Sequence, residues 1–98
     1  MKFQEFWIAL SELMTSKRDF VTLHDQKSFK ITPSIEAIRV DSDTITQPRV
    51  IKKEEFARVW QASVEYSDAE KFHPGNYSKI TQNSSYIVTL FDQILNNR

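Results

Sequence analysis

Apolar residues at Phe3, Phe6, Trp7, Leu10, Leu13 and Met14 recur at intervals of three and four, the spacing that lines one face of a helix. The opposite face is polar, so a helix is predicted over about residues 3–16. Lys17 and Arg18 follow it, where cations complement the helix macrodipole. From Phe20 to Ile51 the period drops to two, and short segments rich in β-branched residues alternate with polar turns. Strands are predicted near 19–24, 27–32, 36–41 and 44–47 or a little beyond, joined by His24-Asp25-Gln26, Thr32-Pro33-Ser34 and Asp41-Ser42-Asp43. Such short turns pair neighbouring strands antiparallel, as a meander. Alternation places Phe29, Ile31, Ile38, Val40 and Ile45 on the covered face and turns Lys30 and Arg39 to water.

Helical spacing returns from Lys53 to Glu65, with Phe56, Val59, Trp60 and Ser63 on one side. A long polar connection, Tyr66 to Gln82, carries the turn signal His73-Pro74-Gly75. The last stripe is the clearest: Tyr86, Ile87, Leu90, Phe91, Ile94 and Leu95, with Asn83 or the Ser84-Ser85 hydroxyls placed to cap the first turn. Each amphipathic stripe needs a partner layer. The expected architecture is therefore α+β: an antiparallel meander of three or four strands with three helices packed on one face, in the order α-β-β-β-β-α-α. Both Trp7 and Trp60 fall on core positions.

A chain of 98 residues suits one domain, residues 1–98, and its 40% hydrophobic content is that of a soluble globular protein. Basic and acidic residues balance at 13 each, which excludes a strongly basic nucleic-acid coat and an acidic DNA mimic. The absence of cysteine removes disulfides, thiolate zinc sites and a cysteine nucleophile. With Gly75 as the single glycine, neither a P-loop nor a dinucleotide fingerprint can be written. Gln4 and Glu5 interrupt the N-terminal apolar run, so neither a secretory segment nor a membrane span is read there, and a cytoplasmic location is expected.

Catalytic chemistry finds little purchase. His24 and His73 lack a second ligand at helical spacing, so no metal site and no cofactor is predicted. Asp41-Ser42-Asp43 has the composition of a tight turn. A nuclease reading stops at Glu36, which is followed two residues later by Ile38 rather than a lysine. No serine elbow surrounds Gly75. One stretch stands apart: Lys71 to Phe91 holds no Asp or Glu. It contributes Lys71, His73, Tyr77 and Lys79, then Asn83, Ser84 and Ser85 at a helix start, where exposed N–H groups favour anions. Arg49, Lys52 and Lys53, leading into the preceding helix, add a second cluster. These ten residues are the candidate binding set.

Tyr77-Ser78-Lys79-Ile80-Thr81-Gln82-Asn83-Ser84-Ser85-Tyr86-Ile87, preceded by Arg49-Val50-Ile51-Lys52-Lys53-Glu54-Glu55-Phe56, resembles a pattern in small accessory domains of prokaryotic restriction and DNA-associated proteins. The resemblance covers less than half of the chain and implies a nucleic-acid-associated role. The helix-strands-helix order is also similar to the double-stranded RNA-binding domain, with Lys52-Lys53 at the matching helix start. A fourth strand, an extra C-terminal helix and the zero net charge depart from that family, which is set aside. Neutral charge favours a non-enzymatic binding domain whose partner is another protein or a second copy. A DNA-associated module is the alternative, and a small hydrolase or nuclease a distant third.

Overall fold

The computed structural model describes residues 1–96. Its elements run α1 (Phe3–Leu13), β1 (Asp19–Val21), β2 (Ser28–Ser34), β3 (Ala37–Asp41), β4 (Arg49–Lys52), α2 (Lys53–Ser63), a 3-10 turn (Pro74–Tyr77) and α3 (Ser84–Leu95). The order α-β-β-β-β-α-α is that expected, and the strands form one antiparallel sheet in the order β1-β2-β3-β4. No helix of the described residues is long and apolar enough to cross a membrane.

The first helix stops at Leu13, short of the expected residue 16, because its polar tail folds back on itself. The Thr15 and Ser16 hydroxyls donate to the carbonyls of Glu12 and Leu13, and Arg18 Nε donates to the Met14 carbonyl at 2.9 Å. Those bonds satisfy carbonyls that the helix itself leaves open. At the other end, Glu5 Oε1 accepts the Lys2 backbone N–H at 2.8 Å.

Alternation sets the sheet faces. Phe29, Ile31, Ile38 and Val40 are buried while Lys30 and Arg39 reach solvent. Several strand boundaries differ from the sequence reading, the first being β1, which ends at Val21 rather than near residue 24. Thr32-Pro33-Ser34 is not a turn but the end of β2, and the chain reverses at Ile35-Glu36. Pro33 is tolerated because of the ladder's phase. The Ile31 N–H donates to the Arg18 carbonyl, so odd-numbered residues of β2 turn their polar groups toward β1. Pro33 therefore aims its missing N–H beyond the end of β1, past the last pair of the ladder. Glu36 takes a left-handed φ of 51° and is held there by Lys53, whose backbone N–H donates to its carbonyl at 2.8 Å and whose Nζ lies 3.6 Å from its carboxylate.

The fourth strand is Arg49–Lys52 rather than 44–47. Ser42 Oγ donates to the Ser28 carbonyl at 2.8 Å and accepts the Thr44 N–H at 3.3 Å, which bends residues 42–44 out of the ladder. Ile45 consequently sits half-buried in a loop instead of on the covered sheet face. Past Pro48, the pair Val50-Ile51 takes up the ladder against Arg39 and Ile38. No residue separates β4 from α2, which ends at Ser63, two residues before the expected Glu65.

Phe6 is wholly enclosed where the helices meet. Its ring lies 4.9 Å from Phe91, 5.2 Å from Trp60, 5.9 Å from Phe3 and 6.2 Å from Phe56. Trp7 joins through Phe56 at 5.4 Å. Both tryptophans are half-buried and pack against this core. The last helix carries more than a stripe, since Ile87 through Asp92 are all buried. Burial on most sides marks it as the central helix. Its polar residue Thr89 is satisfied: the hydroxyl donates to the Ser85 carbonyl at 2.7 Å and accepts the Leu23 N–H at 3.2 Å, docking the β1–β2 turn.

Candidate functional site

The connection from α2 to α3 is anchored from within by a buried tyrosine. Tyr77, fully buried, donates its hydroxyl to the Lys71 carbonyl at 2.6 Å and packs edge-on to Tyr66 at 5.7 Å. Burial, and to a lesser degree the neighbouring Tyr66, pushes its phenol up to about 12. From this anchor residues 78–83 run beside the β3–β4 loop toward the start of α3.

Between those two segments lies an open groove of about 1000 Å³. One wall is Thr44 to Val50 and the other Ser78 to Asn83, with Glu55 of α2 at the base. A polar network ties the walls together. Arg49 Nη1 donates to Asn83 Oδ1 at 3.1 Å and to the Gln82 carbonyl at 3.4 Å. Asn83 Nδ2 donates to Glu55 Oε2 at 2.9 Å, and the Thr81 hydroxyl donates to the same oxygen. Thr81 Oγ1 in turn accepts the Asn83 N–H at 2.9 Å. Asn83 occupies the N-cap position of α3 but makes no side-chain cap bond. Its amide is engaged on both sides, by Arg49 and by Glu55, so neither wall can shift without breaking a bond to it.

The stretch without acids in sequence is thus not without one in space. Glu55 brings a carboxylate to the approach of α3, where the positive end of the helix dipole favours it. Nothing in the local pattern singles out Glu55, which reads as an ordinary polar position on the first turn of α2. Its role depends on a segment 26 residues away in the case of Thr81.

Of the ten candidate residues, the groove gathers Arg49, Lys79 and Asn83. Lys52 and Lys53 line a separate concavity of about 430 Å³ with Phe3, Glu36, Glu54 and Ala57. Lys53 there pairs with Glu36 and lies over the Trp7 ring at 5.7 Å. Lys71 pairs with Asp68 at 2.9 Å and covers the Phe72 ring at 5.4 Å. Tyr77 and Ser84 are buried, and Ser85 is half-buried with its carbonyl held by Thr89. His73 stacks on His24 with ring centroids 5.0 Å apart and 24° between planes. His24 Nε2 lies 3.4 Å from the Phe72 carbonyl, so two histidines remote in sequence fasten the connection to the β1–β2 turn. Among the described residues no group of three or more His, Asp or Glu is placed to hold a metal ion.

A second concavity, about 640 Å³, lies between the open face of the sheet and the other side of the same β3–β4 loop, bounded by Val21, Lys30, Asp41 and Ile45 among others. That loop is a shared wall. Scans of protein-family models, of curated proteins and of solved structures return no match to this chain.

Proposed function

We propose that this chain is a non-enzymatic binding domain that engages a protein partner through the groove between the β3–β4 loop and the approach to α3. The observation that carries the reading is the Arg49–Asn83–Glu55–Thr81 network. It commits Arg49 and Glu55 to Asn83, Thr81 and the Gln82 carbonyl, which holds the walls in place and leaves Thr44, Thr46, Gln47, Lys79 and Gln82 exposed along them. A fixed surface of amides and hydroxyls suits a partner that offers backbone and polar side chains, and preorganisation lowers the entropy lost on binding.

The alternative, a DNA-associated module like the accessory domains that residues 77–87 resemble, draws less support from the arrangement. Phosphate affinity grows with the number of cations on one track. Here Lys53 and Lys71 face carboxylates, Arg49 is bonded to Asn83, and the cations divide among separate sites.

Selection of a displayed random-peptide library against the full chain tests the proposal, with backbone amide shifts mapping each selected peptide. Shifts gathered on residues 44–50 and 78–83 are expected. Selected peptides that shift other surfaces, or a selection yielding no binder, overturn it. Light scattering at micromolar concentration then separates a second copy from a different partner.

A further inference from the structure

We infer that the free edge of β4 adds an extended, acidic segment of the partner protein as a fifth strand. The inference rests on the groove reading above and specifies what enters it. The ladder's phase fixes which groups are free. The Lys53 N–H donates to the Glu36 carbonyl, and in an antiparallel ladder bonded pairs alternate with unbonded ones. Ile51 and Arg49 therefore turn their backbone groups toward β3, and Val50 and Lys52 turn theirs outward. An edge of this kind is a template for another strand. The groove passes Val50, a residue 58% exposed, so the template opens onto space already bounded on its far side by residues 78–83.

Charge selects the occupant and the edge. Lys79 on the facing wall has no ion-pair partner among the described residues, while the one groove carboxylate, Glu55, is held by Thr81 and Asn83. Lys52 at the end of β4 is exposed. An incoming strand thus meets Lys79 across the groove and Lys52 at the end of β4, with Glu54 beside Lys52 on the Phe3 side. The opposite edge, β1, turns Asp19 and Val21 outward by the same phase argument, and Asp19 repels an acidic strand.

The test uses two short capped peptides, one alternating valine with glutamate and one alternating valine with lysine, titrated into the full chain and followed by amide shifts and hydrogen exchange. The acidic peptide is expected to bind about tenfold more tightly, to shift residues 44–50 and 78–83, and to slow exchange at the Val50 amide. Lys79→Gln removes most of that preference. Val50→Pro, tolerated on an edge whose N–H faces outward, abolishes strand addition; the Lys79→Gln readout stands if that variant folds poorly. Equal binding of the basic peptide, or groove shifts without slowed exchange at Val50, overturns strand addition and leaves the groove reading standing. Shifts confined to other surfaces overturn both.

Discussion

Glu55→Ala isolates what holds the groove together. The substitution removes an acceptor shared by Thr81 and Asn83 and leaves the hydroxyl of Thr81, a residue only 8% exposed, without its partner. Hydrogen bonds to charged groups contribute about 1.5–3 kcal/mol each, toward the low end where the acceptor is half-exposed as here, and one of the two donors can turn to water. The expected loss is about 2 kcal/mol, against roughly half of that for Glu55→Gln, which keeps a neutral acceptor. For a domain of this size such a loss lowers the melting temperature by about 8–16 °C. Urea unfolding followed by tryptophan fluorescence measures it directly. A double-mutant cycle with Asn83→Ala should return a coupling of about 1 kcal/mol, because both single variants break the same bond. Hydrogen exchange should quicken at residues 78–83 and not in α1. A cost under about 0.5 kcal/mol, the usual value for an uninvolved surface position, or strict additivity with Asn83→Ala would refute the clamp.

Phe6→Ala should cost about 3–5 kcal/mol in the same assay, a large part of the roughly 5–15 kcal/mol that holds a domain folded, because the ring is enclosed by four aromatic neighbours; a loss near 1 kcal/mol contradicts the packing. Tyr77 keeps its proton up to about 12 when folded, against 10.0 in the unfolded chain. Its contribution is therefore complete below about pH 10 and declines as pH rises toward 12. Tyr77→Phe should flatten that decline in unfolding curves taken across the interval, and an unchanged slope counts against the assignment. Thr89→Val strips the Leu23 N–H of its acceptor, with an expected loss of about 1–3 kcal/mol and faster exchange at the Leu23 amide; protection that persists there would show that the β1–β2 turn docks by other means.

The helices and the middle of the sheet are legible because their signals are periodic. Phe6 with Leu10, and Phe29 with Ile31, announce their faces without reference to the rest of the chain. The β2–β3 turn is not legible, since the residues that make it, Ile35 and Glu36, are poor turn formers. Glu36 keeps its left-handed backbone through contacts from Lys53. Pro33 misleads for a related reason: its missing donor breaks a strand only where a neighbour would have used it. The start of β4 is hidden by Ile45, as β-branched as Ile51 but drawn into a loop by the Ser42 hydrogen bonds.

The site follows the same division. Arg49, Lys79 and Asn83 stand out by residue type and do share a groove. Glu55, which organises them, is recognisable only once α2 and the approach to α3 are side by side. The meeting of His24 with His73 depends on where a long connection returns, and spacing carries no trace of that.

The direct junction at Lys52 and Lys53 makes the last strand and the second helix a single keyed part. One extra residue at that joint would swing the helix by about 100° about its axis, carrying Glu55 off its two donors and Phe56 out of the aromatic cluster together. Lengthening the 42–48 loop turns no helix. Of the two connections flanking β4, only that loop has slack for variation in length, and it is the wall shared by two concavities.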